Sequence, residues 1–219
     1  NPYLGRRYML ITSRGCPFAC SFCSNNELHR TYGFEHGKHL RRHSPQRIID
    51  ELVDAKKRYG ITSIWFVDDI FMSDMQWLRE FAPLYIRHVG LPFYCLGHPS
   101  FINQENAKLL ADMNCILVQV GLQTSNAKLR REVLKRYETN EQAEKSIRLL
   151  RDQGMQVILD FIFGLPGETE ESVLESIIAY SRWDISYVSM YTISYYPFTD
   201  IITSALKATL SPAEKSLLE

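Results

Sequence analysis

Three cysteines in one short segment are the residues whose types and spacing point most directly to chemistry. Cys16 and Cys20 are separated by three residues, and Cys20 and Cys23 by two. Thiolates are soft ligands that suit iron–sulfur clusters, zinc and copper(I), and Pro17 opposes a regular helix, so we expect the sulfurs to converge from a loop. Structural zinc sites use paired C-x2-C arms and a fourth protein ligand. The spacing therefore predicts a loop that wraps one cluster and leaves one iron without a protein ligand.

The cysteine segment, with aromatic Phe22 before its last cysteine, resembles the signature of the radical S-adenosylmethionine (SAM) superfamily. The wider segment 12–17 is similar to the corresponding segment of the subgroup that is often fused to a cobalamin-binding domain. This resemblance implies a [4Fe-4S] cluster held by Cys16, Cys20 and Cys23, with SAM chelated to the open iron. It also implies reductive cleavage of SAM to a 5′-deoxyadenosyl radical. A zinc knuckle or a disulfide-bonded loop is the alternative reading of the three residues.

Length and composition fit one α/β domain over residues 1–219, with 45% hydrophobic residues. The 25 basic and 25 acidic residues balance, so no global basic field indicates nucleic-acid binding. Five cysteines, with Cys95 and Cys115 in apolar runs, are typical of a reducing compartment. Without an apolar run of about 18 residues or a signal peptide, we expect no transmembrane segment and a cytoplasmic location. The chain begins at Asn1 and not Met, which predicts that it is cut from a longer one. A last helix is expected from Ser211, cut short at Glu219.

The chain alternates short β-rich runs with longer amphipathic helical stretches, which predicts βα units around a parallel sheet. Six units are too few to close an eight-stranded barrel. The resemblance implies the partial (β/α)6 TIM-like barrel of radical SAM enzymes. Helices are expected from Ser44, from Ser73 or Asp74, from Asn103 and from Asn140. The predicted strands are 8–12, 63–67, 92–96, 116–120, 156–163 and 187–194.

Two carboxylates follow the second predicted strand, at the end of the sheet where parallel α/β folds carry their chemistry. Asp68 and Asp69 would be costly to bury unless a cationic group meets them. The resemblance implies that they contact the methionyl amino group of SAM, although the Gly-Gly-Glu motif frequent in the family is absent. A solvated turn that caps the next helix is the alternative.

Two further strand ends supply candidate SAM contacts. Gln123 and Ser125 follow the fourth strand and are able to hydrogen-bond a ribose diol, with a helix cap at Ser125 as the alternative. The fifth-strand segment 160–169 is similar to the family segment that packs on adenine, which implies an adenine contact for Ile162. The resemblance also implies that Phe22, from the cysteine segment, lies near the adenine. Arg136 is a candidate partner of the SAM carboxylate.

Together these patterns predict a radical SAM enzyme, either a methyltransferase-like transferase or an oxidoreductase. The resemblance implies an electron from a ferredoxin- or flavodoxin-like donor and hydrogen abstraction from an unactivated carbon of a small-molecule, natural-product or lipid substrate. It favours methylation or a related C–H functionalisation in a cobalamin-linked enzyme. No Asp-x-His-x-x-Gly cobalamin motif occurs, so cobalamin would bind a domain outside this chain. The alternatives are a methylthiotransferase and a non-catalytic Fe–S or zinc binding module.

Overall fold

The computed structural model describes residues 6–32, 40–208 and Ser211, and the backbone alone of His29. A π-helical turn at Leu129–Val133 interrupts the otherwise regular alternation of strands and helices. In chain order the elements are β1 (Arg7–Leu10), β2 (Ser13–Arg14), α1 (Ser24–Thr31), β3 (Arg41–Arg42), α2 (Pro45–Tyr59), β4 (Ser63–Phe66), α3 (Met75–His88), β5 (Phe93–Gly97), α4 (Gln104–Asp112), β6 (Cys115–Gln123), α5 (Asn140–Asp152), β7 (Gln156–Phe163), α6 (Glu170–Ser181), β8 (Tyr187–Thr192) and α7 (Asp200–Lys207).

One parallel sheet contains six of these strands, in the order β1-β4-β5-β6-β7-β8. Each neighbouring pair is parallel, and each crossover carries at least one helix. Within the described residues β1 pairs with β4 alone and β8 with β7 alone, so the sheet is open. The predicted fold class, an α/β partial barrel of six strands, is confirmed.

Helix starts follow the capping residues that the sequence provides. Ser44 caps α2 by accepting a hydrogen bond from Arg47 N, and Asp74 caps α3 by accepting one from Trp77 N at 3.0 Å. Gly60, with φ +58°, ends α2 in the left-handed conformation that glycine adopts without strain. The predicted helix starts at Ser44 and at Ser73 or Asp74 are confirmed to within a residue.

The main core lies on the side of the sheet that faces the helices. Along β6, Val118, Val120 and Leu122 are fully buried in this core. Because successive residues of a strand alternate between its two faces, Gln119 and Gly121 lie on the opposite face. Polar groups on that face, and at the carboxyl ends of the strands, are thus outside the apolar core.

Four elements near the cysteines were not expected from the sequence. Helix α1 starts directly after Cys23, β2 and β3 form a short antiparallel pair, and α7 follows β8. The predicted helix from Ser211 lies outside the described residues, apart from Ser211 itself. In the described part of the chain, no helix is long and apolar enough to cross a membrane.

Candidate functional site

The three cysteines lie in an irregular loop between β2 and α1, at the carboxyl end of β1. Cys20 is buried, and Cys16 and Cys23 are half-buried. The loop is closed by a hydrogen bond from Cys23 N to Cys20 O (3.2 Å) and anchored by one from Ser21 N to Leu134 O (3.1 Å). None of the cysteines forms a disulfide. The predicted loop is thus present, with its three thiols on one short segment.

Burial and neighbouring polar groups act in opposite directions on the pKa of the three thiols. Burial raises the pKa of all three thiols, that of Cys16 to about 12. The thiols are therefore protonated when no cation is bound. Against burial, the Phe18 backbone N–H lowers the pKa of Cys16, the charge and hydrogen bond of Arg136 lower that of Cys20, and Asn25 lowers that of Cys23. These donors would stabilise thiolates once iron replaces the protons.

The donor set suits a cluster better than a single ion. Among the described residues, no three His, Cys, Asp or Glu side chains are placed to hold one metal ion. In a [4Fe-4S] cluster each cysteine binds a different iron, so the sulfurs do not need to share one point. Cys16, Cys20 and Cys23 therefore fit a cluster that retains one iron without a protein ligand.

The two adjacent carboxylates after β4 have different surroundings. Asp68 is 1% exposed and accepts hydrogen bonds from Thr12 N (3.1 Å), Thr12 Oγ1 (2.7 Å) and Ser13 Oγ. Asp69 is exposed and accepts one from Asn25 Nδ2 at 2.9 Å. Asp68 therefore holds the segment before the cysteine loop in place through hydrogen bonds, whereas Asp69 faces the loop itself.

A cavity of about 580 Å³ opens beside Asp69, between α1 and the end of β1. Backbone and side chains from both ends of the cysteine loop line it, and the charge of Asp69 reaches Cys16 and Cys23, where it raises the thiol pKa. Its lining includes Ile11, Ser13, Arg14, Gly15, Asn25, Leu28 and Asp69.

An irregularity near the end of β6 changes the backbone conformation at Gln123. The register between β6 and β7 shifts between Gly121 and Gln123, and Gln123 has φ +75°. Its Oε1 is buried without a hydrogen-bond partner in the described residues. A Cβ on Gly121 would lie 2.6 Å from Gln123 Nε2, so glycine is needed for this side-chain position. A buried acceptor without a donor calls for a bound water or ligand.

The other two polar candidates are hydrogen-bonded within the protein. Ser125 Oγ donates to Ser176 Oγ of α6 at 3.0 Å, and Ser125 N donates to the same atom at 3.2 Å. Arg136 is 7% exposed; its Nε donates to Glu138 Oε1 and its Nη2 to Gly121 O, both at 2.6 Å. Their contact with SAM stays a prediction.

The structure brings the two apolar candidates together. Ile162, from the end of β7, and Leu165 belong to a small buried cluster with Ile201 of α7, and Phe22 packs against it. Phe22 lies between two of the cysteines. This apolar cluster is therefore next to the cysteine loop, as a group that packs on adenine would need to be.

Sequence reasoning gave no role to Asp160, which lies opposite Gly121 in the β6–β7 register. Asp160 Oδ1 accepts a hydrogen bond from Gln119 Nε2 at 2.8 Å, and burial raises the pKa of Asp160 to about 6, against the lowering effects of Gln119 and Arg136. The signal in the sequence was an acidic residue inside an apolar strand, between Leu159 and Phe161.

Comparisons with known proteins agree with this arrangement. Residues 10–178 match the radical SAM superfamily. The chain is 29% identical over 204 residues to an uncharacterized methyltransferase of Pyrococcus horikoshii, covering 92% of this chain and 42% of that protein. It is 27% identical over 227 residues to the cytidylyl-2-hydroxyethylphosphonate methyltransferase of Streptomyces wedmorensis, covering 99% and 41%. The chain thus spans about two fifths of the length of these relatives.

The fold is similar to a solved structure of the radical SAM methyltransferase TsrM from Kitasatospora setae, with cobalamin and a [4Fe-4S] cluster bound. The TM-score is 0.79 at 22% identity, covering 95% of this chain and 41% of that one. At this identity the likeness shows the fold alone. The family match includes the cysteine loop and extends through most of α6. With three thiols in one loop at the carboxyl end of a six-stranded parallel sheet, this chain belongs to the radical SAM superfamily.

Proposed function

We propose that this chain is the core of a radical SAM enzyme, in which Cys16, Cys20 and Cys23 hold a [4Fe-4S] cluster and SAM binds its open iron. The observation that carries the proposal is the cysteine loop, in which three thiols without a disulfide lie on one short segment at the carboxyl end of β1. Held by these three cysteines, a reduced cluster would supply the one electron that cleaves the C5′–S bond of SAM to give methionine and a 5′-deoxyadenosyl radical, which would take a hydrogen atom from the substrate.

The chain's own residues would bind and orient SAM at three strand ends. Asp69, exposed beside the cysteine loop, would meet the ammonium group of the methionyl moiety. The unpartnered Oε1 of Gln123 would accept a hydrogen bond from a ribose hydroxyl, and Asp160 offers a second acceptor one strand away. Phe22 and Ile162 would pack on adenine. Asp68 would act through Thr12 and Ser13, by fixing the start of the loop.

For the overall reaction we propose methylation, or a related C–H functionalisation, in a cobalamin-linked enzyme. Two observations support this proposal: two relatives are named as methyltransferases, and the solved structure of TsrM has cobalamin bound. Cobalamin would bind outside this chain, because no cobalamin-ligand motif occurs in it. A small-molecule substrate of natural-product or lipid type, a ferredoxin- or flavodoxin-like electron donor and a cytoplasmic location complete the proposal.

The direct test is spectroscopic. The protein is reconstituted anaerobically with iron and sulfide, reduced, and examined by electron paramagnetic resonance before and after addition of SAM. We expect about four irons per chain and a reduced-cluster signal that changes when SAM binds. Bound zinc, or a cluster whose signal ignores SAM, would instead support a binding module without SAM chemistry. As a control, the Cys95→Ala variant changes a buried thiol outside the loop and should retain the signal.

A further inference from the structure

Two arginines lie opposite each other in the short antiparallel pair of β2 and β3. Arg14 is the register partner of Arg41, and both residues are exposed. Residues directly opposite each other in an antiparallel pair lie on the same face, with their Cβ atoms about 5 Å apart. Both arginines line the cavity of about 580 Å³ beside Asp69. Two guanidinium groups are therefore presented to one cavity.

The next register pair, Ser13 and Arg42, holds these two strands in place. Arg42 is half-buried, and its guanidinium donates to Ser13 Oγ at 3.2 Å and to Ser73 Oγ at 3.1 Å. Ser13 Oγ in turn donates to Asp68, which is buried. The backbone that carries the two cavity-lining arginines is thus fixed before a ligand binds, which reduces the entropy lost on binding.

The charged groups of the cavity favour a negatively charged ligand. The Arg14 guanidinium forms no hydrogen bond or ion pair with another residue in the described part of the chain. Asp69 is the one acidic side chain among the described lining residues, and it accepts a hydrogen bond from Asn25 Nδ2 at 2.9 Å. Like charges directly opposite each other in a strand pair are destabilising. An anion bound by Arg14 and Arg41 together would relieve their repulsion.

Apolar side chains form another part of the lining. Ile11 and Leu28 are exposed, and Val67 is half-buried. Exposed apolar side chains that share a concave site with a few polar groups are typical of a ligand-binding pocket. Gly15, which precedes Cys16, also lines the cavity, so a ligand there would lie beside the cysteine loop. A ligand that fits both parts of the lining carries a negative group and an apolar body.

We propose that Arg14 and Arg41 bind a phosphate, phosphonate or carboxylate group of the substrate. The apolar part of the substrate would contact Ile11, Leu28 and Val67. Guanidinium groups bind such oxygens through charge-assisted and often bidentate hydrogen bonds, so two of them fix both the position and the orientation of the anion. That the anion belongs to a substrate rests on the proposed function, whereas the anion site itself requires no cluster.

The test is a calorimetric titration of the reconstituted protein with phenylphosphonate, which joins a negative group to an apolar ring. Benzyl alcohol, which has the ring without the charge, is the neutral probe. We expect saturable binding of phenylphosphonate that weakens as salt is added, and no binding of benzyl alcohol at the same concentrations. Equal binding of the two probes would overturn the proposal, because the site would then recognise the ring alone.

Substitutions then assign the binding to the two arginines. Arg14→Gln and Arg41→Gln should each weaken phenylphosphonate binding about tenfold. Arg14→Lys keeps the charge without the planar fork and should fall between Arg14→Gln and the unchanged protein. Arg79→Gln, at an exposed ion pair with Glu105 outside the cavity, is the control and should bind as the unchanged protein does. Unchanged binding in both glutamine variants would overturn the proposal.

SAM titrations of the same variants distinguish a substrate anion from the carboxylate of SAM. An unchanged SAM affinity, with phenylphosphonate binding weakened, would support the proposal. An equal loss of affinity for both ligands would overturn it and assign the arginines to SAM. If Arg14→Gln, two residues before Cys16, takes up no cluster, Arg41→Gln decides in the same assay. An unchanged protein that takes up no [4Fe-4S] cluster and still binds phenylphosphonate would overturn the proposed function while supporting the anion site.

Discussion

Asp68 and Asp69 are adjacent in the sequence but lie in different surroundings, so substitutions can test the role of each residue separately. In Asp68→Asn, the amide oxygen can still accept from the hydroxyls of Thr12 and Ser13, but its Nδ2 then faces the Thr12 N–H, leaving a buried donor unsatisfied. The substitution also removes the negative charge that acts on the buried Arg42 guanidinium. We therefore expect a loss of about 3 kcal/mol in the free energy of unfolding. Asp69→Asn, at an exposed site with one hydrogen bond, should cost less than about 0.5 kcal/mol.

The assay is urea unfolding of the cluster-free protein under anaerobic conditions, followed by SAM titration of the reconstituted variants. Asp69→Asn should keep its stability and bind SAM about tenfold more weakly, whereas Asp68→Asn should be destabilised and take up less iron. Equal stabilities of the two variants would refute the reasoning that Asp68 fastens the cysteine loop. An unchanged SAM affinity in Asp69→Asn would remove Asp69 from the SAM site.

Three further predictions concern the sheet ends and the helix contacts. Gly121→Ala should weaken SAM binding about tenfold, about 1.4 kcal/mol, because the new Cβ would displace the Gln123 amide; an unaltered calorimetric titration would exclude that amide from the site. The pKa of Asp160 is raised to about 6, so its stabilising contribution is present below its unfolded pKa and lost as pH rises through about 6. Asp160→Asn should therefore gain about 1 kcal/mol in unfolding free energy at pH 7, and little near pH 4; an equal gain at both pH values would contradict this. Asp200→Ala removes the contacts of Arg30 and Asn26 and should cost about 1 kcal/mol, less at high salt, as urea unfolding at two ionic strengths would show.

The sequence was sufficient for the strands and for most helices of the sheet. Ser44 and Asp74 are local signals whose effect depends on the nearest few residues, and both cap helices as expected. Helix α1 was missed because it has a single apolar residue, Leu28, which is 47% exposed. Its packing depends instead on polar contacts with Asp200, 174 residues after Asn26 in the chain, which no local pattern reveals.

The same distinction between local signals and contacts from distant parts of the chain applies to the site. The cysteine spacing predicted a three-thiol loop, because all of its determinants lie within eight residues. The different surroundings of Asp68 and Asp69 depend on Thr12 and Asn25, which come from distant parts of the chain. The hydrogen bond from Arg136 to Glu138 is local, whereas the one from Arg136 to Gly121 O joins it to a residue of β6 that lies 15 positions earlier.

The central claim is tested most directly by SAM cleavage. The protein, reconstituted with iron and sulfide under anaerobic conditions, is reduced and incubated with SAM, and 5′-deoxyadenosine is measured by chromatography. The account predicts 5′-deoxyadenosine from the unchanged protein, and none when Cys16, Cys20 and Cys23 are all replaced by alanine. Equal amounts of 5′-deoxyadenosine from both proteins, or none from a protein that carries the intact cluster, would contradict it.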